Sequence, residues 1–464
     1  LKSKDKVAFI GALAGQSRYQ GGGSSHIHAF KVDHIIDYIQ ERQAYYAEGY
    51  TLTGDGYDES LILEAKSLAQ KVDKVVAVVG LTDEYESEGY DRTHLNLPDG
   101  QMELIKALVS VQEQIVVVLQ TGSPVVIPMI ERIKGVLNCY LMGEAGARAA
   151  VEMLYGQANP SGRLAETFPL AIEDTPSYGH YALGNHEVHY QESLYVGYRY
   201  YSSLKKPVLF PFGHGLSYTT FSYNQFKIKE TTDEDCIITV SVDVTNTGYY
   251  IGKEVVQLYA HFPSDKIDRP IRELKAFTKV LLDPNETKTV ELSFETDSLR
   301  YYDEALGQWV LVSGDYELSL MKNAVDCIET LSITIKGDRP ADSSKESQKT
   351  PSYHFENGLT FNQTDFESRI QRSVGSTHIN HKRPFTLNHS FSDIRKSLIG
   401  GILYRYARKE ALKSFENQSE TEYRMIEKSL AETPLRAVVA FSGGRIKMKQ
   451  MQGLLELINH RFFK

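Results

Sequence analysis

Two rhythms of apolar residues divide the chain. Up to about residue 170, short continuous apolar runs alternate with stretches whose apolar residues recur every three or four positions. The runs are Val7-Ala8-Phe9-Ile10-Gly11, Val75-Val76-Ala77-Val78-Val79-Gly80, Ile115-Val116-Val117-Val118-Leu119 and Val136-Leu137-Asn138-Cys139-Tyr140-Leu141. Near-continuous β-branched residues mark strands covered on both faces, as the strands of parallel sheets are. Between them, Glu59 to Val72, Gly100 to Glu113 and Ala145 to Tyr155 carry helical spacing. This alternation predicts a doubly wound α/β domain over residues 1–170, with its functional loops at the carboxyl ends of the strands.

Beyond it four further segments follow. Residues 171–217 are aromatic and rich in Pro and Gly, as in Tyr195-Val196-Gly197-Tyr198-Arg199-Tyr200-Tyr201, and predict an ordered connector. Over 218–336 the period falls to two: Ile238, Val240, Val242 and Val244 alternate with polar residues before an Asn246-Thr247-Gly248 turn. Val290, Leu292 and Phe294, then Tyr316, Leu318 and Leu320, repeat the pattern, which predicts a β-sandwich of immunoglobulin or fibronectin type. Residues 337–390 are read as a linker, with Asp338 to Lys349 its mobile part. Residues 391–464 form a helical extension of about three helices, in which Ile394, Leu398 and Ile402 recur at four-residue spacing.

Length and composition fit this multidomain picture. A chain of 464 residues exceeds one ordinary domain, and 41% hydrophobic residues suffice for several cores. A net charge of −9 without a basic stripe argues against nucleic acid, and no apolar run is long enough to span a membrane. Cys139, Cys236 and Cys327 lack metal-ligand spacing, which points to free thiols, no metal and a reducing, cytoplasmic compartment. The chain opens at Leu1 with neither an initiator Met nor a signal peptide, so the natural N-terminus is expected to lie upstream.

The candidate chemistry sits just after two of the predicted strands. Glu86-Ser87-Glu88-Gly89-Tyr90-Asp91-Arg92 follows the second run, and Arg18-Tyr19-Gln20-Gly21-Gly22-Gly23-Ser24-Ser25-His26 occupies the same kind of position after the first. A carboxyl group on such a loop is placed to exchange a proton with a bound molecule, and Gly89 lets the preceding side chain project. Glycosidic bond cleavage needs a proton donor of this kind and a second carboxylate across the sugar. Glu88 is the favoured donor and Glu86 its competitor, with solvated loop carboxylates as the bland alternative for both. The glycine–serine loop lacks the spacing of a phosphate cradle; it reads either as a close backbone approach to a sugar or as a surface turn. His26, His94 and His214 share no metal-ligand spacing, and Ser24, Ser25 and Ser123 lack a nucleophile elbow.

With these residues in view, the chain resembles the later domains of the glycoside hydrolase family 3 β-glucosidases. The resemblance rests on Arg18 to His26, Glu86 to Arg92, Asn159-Pro160-Ser161-Gly162-Arg163-Leu164 with Thr167-Phe168-Pro169, Pro207 to Phe221, Asn246 to Tyr259 and Arg269 to Val290. Pro434-Leu435-Arg436 through Phe441-Ser442-Gly443-Gly444 extends it into the tail. It implies retaining, cofactor-free hydrolysis of terminal non-reducing β-D-glucosyl residues in β-glucosides or oligosaccharides. Glu88 then takes the acid/base role, while Ser24, Ser25 and Arg92 fall on the substrate side, Arg92 also supporting the loop. The family's nucleophilic Asp and its sugar-gripping Lys-His and Arg lie on an N-terminal (β/α)8-type barrel to which nothing here corresponds, so the chain alone is expected to be inactive. Glu144 stands where the family often has Gln. Two rival readings stay open: a non-catalytic carbohydrate-binding scaffold, and a split enzyme with a separate barrel subunit. Homo-oligomerisation is also left open.

Overall fold

The structure is a computed structural model. It describes residues 1–464 except 24, 25, 41, 43, 55, 89, 182–186, 233–235, 263–266, 341–349, 376–379, 414–419 and 460–464, and except the side chains of 230–232, 420 and 421. The chain forms two compact units: Leu1–Tyr155 with the C-terminal helices, and essentially Gly156–Gly375.

In the first unit five strands, β1 (Val7–Ile10), β2 (Ala44–Ala47), β3 (Lys74–Gly80), β4 (Ile115–Gln120) and β5 (Gly135–Asn138), form a parallel sheet in the order β2-β1-β3-β4-β5. Val7 pairs with Ala44 on one side and Lys74 on the other, so the sheet grows in opposite directions from β1. Such a reversal opens a crevice at the carboxyl ends of β1 and β3, where open α/β sheets bind ligands. The helices are α1 (Ala12–Gly15), α2 (Glu59–Ala69), α3 (Asp99–Val109) and α4 (Gly146–Leu154). Asp58 starts α2 by accepting from the N–H groups of Ser60 and Leu61. Val7 to Ile10 and Val75 to Val79 are wholly buried, as their unbroken apolar runs require. Strand β2, Ala44-Tyr45-Tyr46-Ala47, was not predicted: it is an edge strand with both tyrosines exposed and no apolar run to announce it.

The second unit opens with helix α5 (Tyr198–Leu204) and continues as a sandwich of β6 (Phe221–Thr232), β7 (Ile237–Asn246), β8 (Gly252–His261), β9 (Arg272–Leu282), β10 (Thr287–Glu295), β11 (Tyr301–Asp303), β12 (Gln308–Val310), β13 (Val312–Met321) and β14 (Cys327–Ile335). One antiparallel sheet runs β10-β7-β6 and the other β14-β13-β8-β9. The predicted alternation is realised: Ile238, Val240, Val242, Val244, Val290, Leu292, Phe294, Tyr316, Leu318 and Leu320 all lie in one core. The connector's aromatics are ordered within this unit. Tyr195 donates its hydroxyl to the Tyr353 carbonyl (2.8 Å), and Tyr198 stacks on Phe212. Arg163 donates to the buried carboxylate of Glu254 (2.8 Å), which also accepts from the Tyr223 hydroxyl (2.9 Å). The Asn159–Arg163 motif is thus a structural tie to the sandwich. Within the stretch read as a linker, α6 (Gln363–Ile370) and the buried Tyr353, Leu359 and Phe361 pack with Tyr195, Tyr200 and Tyr201. Most of its polar run, residues 341–349, lies outside the described residues.

The tail holds five helices among the described residues, rather than about three: α7 (Phe391–Ile394), α8 (Leu398–Lys413), α9 (Glu420–Glu432), α10 (Leu435–Phe441) and α11 (Met448–Asn459). They enclose a core of Phe385, Phe391, Ile394, Leu435, Met451, Leu455 and Ile458. The predicted stripe is displaced by one residue. α7 ends at Ile394, Leu398 and Ile402 face solvent, and Ile399, Leu403 and Ala407 pack on the core instead. No helix among the described residues is long and apolar enough to cross a membrane.

Candidate active site at the carboxyl edge of the parallel sheet

β1 leads into Gly11, whose φ of +142° is in a region L side chains rarely adopt; a Cβ there would lie 1.9 Å from the Val78 carbonyl oxygen. The strands approach closely at this point, and after α1 the chain returns to the sheet edge at Arg18. The Arg18 amide donates to the side-chain oxygen of Gln120 at the end of β4 (2.7 Å). Its buried guanidinium donates to the Leu81 carbonyl (2.6 Å), Glu86 Oε2 (2.8 Å) and the Glu86 carbonyl (3.0 Å), with Asp83 at 3.5 Å. Glu86 in turn accepts from the Gly122 amide (2.8 Å) and the Ser123 hydroxyl beyond β4. Both Glu86 oxygens therefore serve as acceptors that bind three strand-end loops together. This charge-assisted knot holds the scaffold.

Two residues on, Glu88 is exposed. The loops after β1 and β3 meet in a parallel bridge between Gly22 and Ser87. Gly23, at φ +99°, lies against the glutamate: a Cβ on it would be 2.8 Å from Glu88 Oε2 and 2.9 Å from Glu88 Cβ. Only a glycine lets the carboxyl lie across that backbone. Ser24, Ser25 and Gly89 fall outside the described residues. Beyond Glu88, Tyr90 donates its hydroxyl to the Asp83 carbonyl, and burial pushes its pKa well above the ordinary phenol value. Arg92 donates to the Pro124 carbonyl (2.8 Å), tying the loop's descending limb to the segment after β4. Burial also raises the Asp83 carboxyl; Arg18 and His26 oppose the shift, while Glu422 and Glu86 add to it. An exposed carboxyl on a loop pinned at both ends can give a proton to a molecule seated in the crevice and take one back.

The loops lie within a stretch that matches a known family. A model described as the glycosyl hydrolase family 3 C-terminal domain matches residues 1–218, and a fibronectin type III-like domain matches 254–324. The chain corresponds to the C-terminal part of family 3 glycoside hydrolases. It is similar to the thermostable beta-glucosidase B of Acetivibrio thermocellus, 37% identical over 466 residues that cover 99% of this chain and 56% of that protein. It is also similar to an exo-alpha-(1->6)-L-arabinopyranosidase of Bifidobacterium breve, 38% identical over 336 residues, 72% of this chain and 44% of the relative. Among solved structures, a family 3 β-glucosidase of Bifidobacterium adolescentis superposes with a TM-score of 0.69 at 35% identity, covering 73% of this chain and 50% of that one. The chain spans about half the length of the curated relatives it matches.

Within this family 3 portion, the remaining candidates separate clearly. His26 lies 3.8 Å from Asp83 at the site, whereas His94 is exposed. His214 belongs to the second unit, where it stacks on Phe210 and burial lowers its pKa, favouring the neutral ring. Among the described residues no group of three or more His, Cys, Asp or Glu is arranged to hold a metal. Glu144 accepts from the Phe30 amide (3.2 Å). No motif in the chain announces the knot formed by Arg18, Asp83, Gly122 and Ser123 around Glu86. The one available signal was an arginine standing directly after a buried strand and its short helix.

Proposed function

We propose that this chain is the part of a retaining β-glucosidase that supplies the general acid/base, Glu88, to a site completed by an N-terminal (β/α)8-type barrel carrying the nucleophile. One observation supports Glu88 over its neighbour: Glu86 is held by Arg18, Gly122 and Ser123, while Glu88 lies exposed across Gly23. In the first step Glu88 protonates the departing glycosidic oxygen as the nucleophile forms the glycosyl-enzyme; in the second it takes a proton from the attacking water. The family resemblance assigns Ser24 and Ser25 to the substrate side, and Arg92 keeps the loop in register through the Pro124 carbonyl. Without the barrel the chain turns over no glucoside, because covalent catalysis and most substrate contacts are missing.

The test is Glu88→Ala in the barrel-completed protein. Its kcat/KM should fall about 10²–10⁴-fold on cellobiose, whose leaving group needs a proton, and change little on an activated aryl glucoside. The same pattern from Glu86→Ala, and not from Glu88→Ala, would transfer the role. The similarity to an arabinopyranosidase favours a second reading of the sugar alone, with L-arabinopyranose in place of glucose. Relative kcat/KM on the two aryl glycosides decides between them.

A further inference from the structure

A second set of side chains, from α9 in the tail, reaches the same two loops. Glu422 lies 3.3 Å from Nδ1 of His26, at the end of the glycine–serine loop. Lys428 donates to the Glu84 carbonyl (3.2 Å), and its ammonium sits 4.8 Å from the centre of the Tyr90 ring. Arg424, one turn before Lys428 on the same helix face, lies 3.5 Å from Glu84 Oε1. α9 is itself braced: Arg408 of α8 pairs with Glu427, and the Ser392 hydroxyl of α7 donates to Glu432 (2.9 Å). Packing alone would call for apolar contacts here. Instead the helix meets the loops through a cation, a guanidinium and a carboxylate, matched by a carbonyl and an aromatic face, a carboxylate and an imidazole. Neither family model extends into the tail.

We propose that α9 is a positioning element of the active site: Lys428, aided by Arg424 and Glu422, fixes the loop that presents Glu88. The proposal rests on the reading of Glu88 as proton donor. Glu88 stands midway between two anchored residues. Glu86, two before it, is fixed by Arg18, and Tyr90, two after it, lies beneath Lys428. A general acid must come within hydrogen-bond reach of the leaving oxygen, so loss of the second anchor weakens proton delivery more than it weakens binding.

The test compares Lys428→Met, Lys428→Arg and Arg424→Gln in the full-length enzyme, with cellobiose and dinitrophenyl β-glucoside as substrates. Lys428→Met should lower kcat/KM on cellobiose about tenfold while leaving the dinitrophenyl substrate within about twofold. Lys428→Arg, which keeps a cation over the ring, should restore most of the loss. Arg424→Gln, at a partly exposed ion pair, should shift the same ratio by about threefold. Equal losses on both substrates, or unchanged ratios in variants that melt like the parent, would overturn the proposal. Glu88→Ala run alongside separates the two readings. If it discriminates between the substrates and Lys428→Met does not, the α9 proposal alone fails; if Glu88→Ala does not discriminate, the assignment of Glu88 itself falls.

Discussion

The β-sandwich and the carboxyl edge of the parallel sheet both bury charged and polar side chains, but to different ends. In the sandwich the polar groups close on one another. Asn246 accepts from the Thr219 hydroxyl and the Gly248 amide and donates to the Tyr250 and Leu282 carbonyls, while Glu254 is satisfied by Arg163 and Tyr223. At the sheet edge Arg18 and Glu86 close a similar knot, yet the same loop goes on to lay the exposed carboxyl of Glu88 across Gly23. Buried charge therefore marks scaffold in both regions. What distinguishes the site is an exposed acid held in place by such a scaffold, beside a crevice that the strand order creates.

Removing Arg18 should have the largest effect on stability. Arg18→Met takes the guanidinium away from the Glu86 carboxylate, which keeps Gly122 and Ser123, and from the Leu81 and Glu86 carbonyls, so it should cost about 3–5 kcal/mol by chemical denaturation. A loss below about 1 kcal/mol would mean the knot does not hold the edge. Leu318→Ala, in the sandwich core, should cost about 2–5 kcal/mol while leaving kcat/KM of the folded, barrel-completed protein unchanged. A selective loss of activity there would erase the distinction between the regions. Asn246→Ala should cost about 1–3 kcal/mol through the buried partners it leaves unpaired, again without touching turnover. The smallest effect concerns pH. The folded protein raises the Asp83 carboxyl above its ordinary value, so it holds that proton longer than the unfolded chain does. Stability should fall as pH rises from the ordinary carboxylate range through the raised value, and Asp83→Asn should flatten that part of a melting-temperature profile. An unchanged slope would mean that burial of Asp83 is not felt.

The parallel strands and the sandwich were legible because their apolar patterns carry both period and burial. Val75 to Val79 could only be a strand covered on both faces, and Ile238 to Val244 only one covered on a single face. β2 was not legible, since an edge strand of Ala44-Tyr45-Tyr46-Ala47 has one neighbour and little to bury. The tail's period was visible but not its phase, which the ends of α7 and α8 determine. At the site the sequence favoured Glu88 over Glu86 but carried no sign of what engages either side chain. The groups that engage Glu86 come from loops after other strands, Arg18 after β1 and Ser123 after β4. The contact of Lys428 with Glu84 joins residues more than three hundred positions apart, and no local pattern can announce that.

Glu88 as the acid/base of a double displacement has a consequence that no scaffold role shares. Without that side chain the glycosyl-enzyme should persist and be captured by a small anion that needs no general base. The decisive measurement incubates the barrel-completed Glu88→Ala protein with dinitrophenyl β-glucoside and sodium azide and identifies the product by NMR. Turnover should rise with azide and yield the β-configured glucosyl azide, while the Glu86→Ala protein releases glucose alone. Glucose as the sole product from Glu88→Ala, at a rate indifferent to azide, or the azide adduct from Glu86→Ala instead, would contradict the assignment.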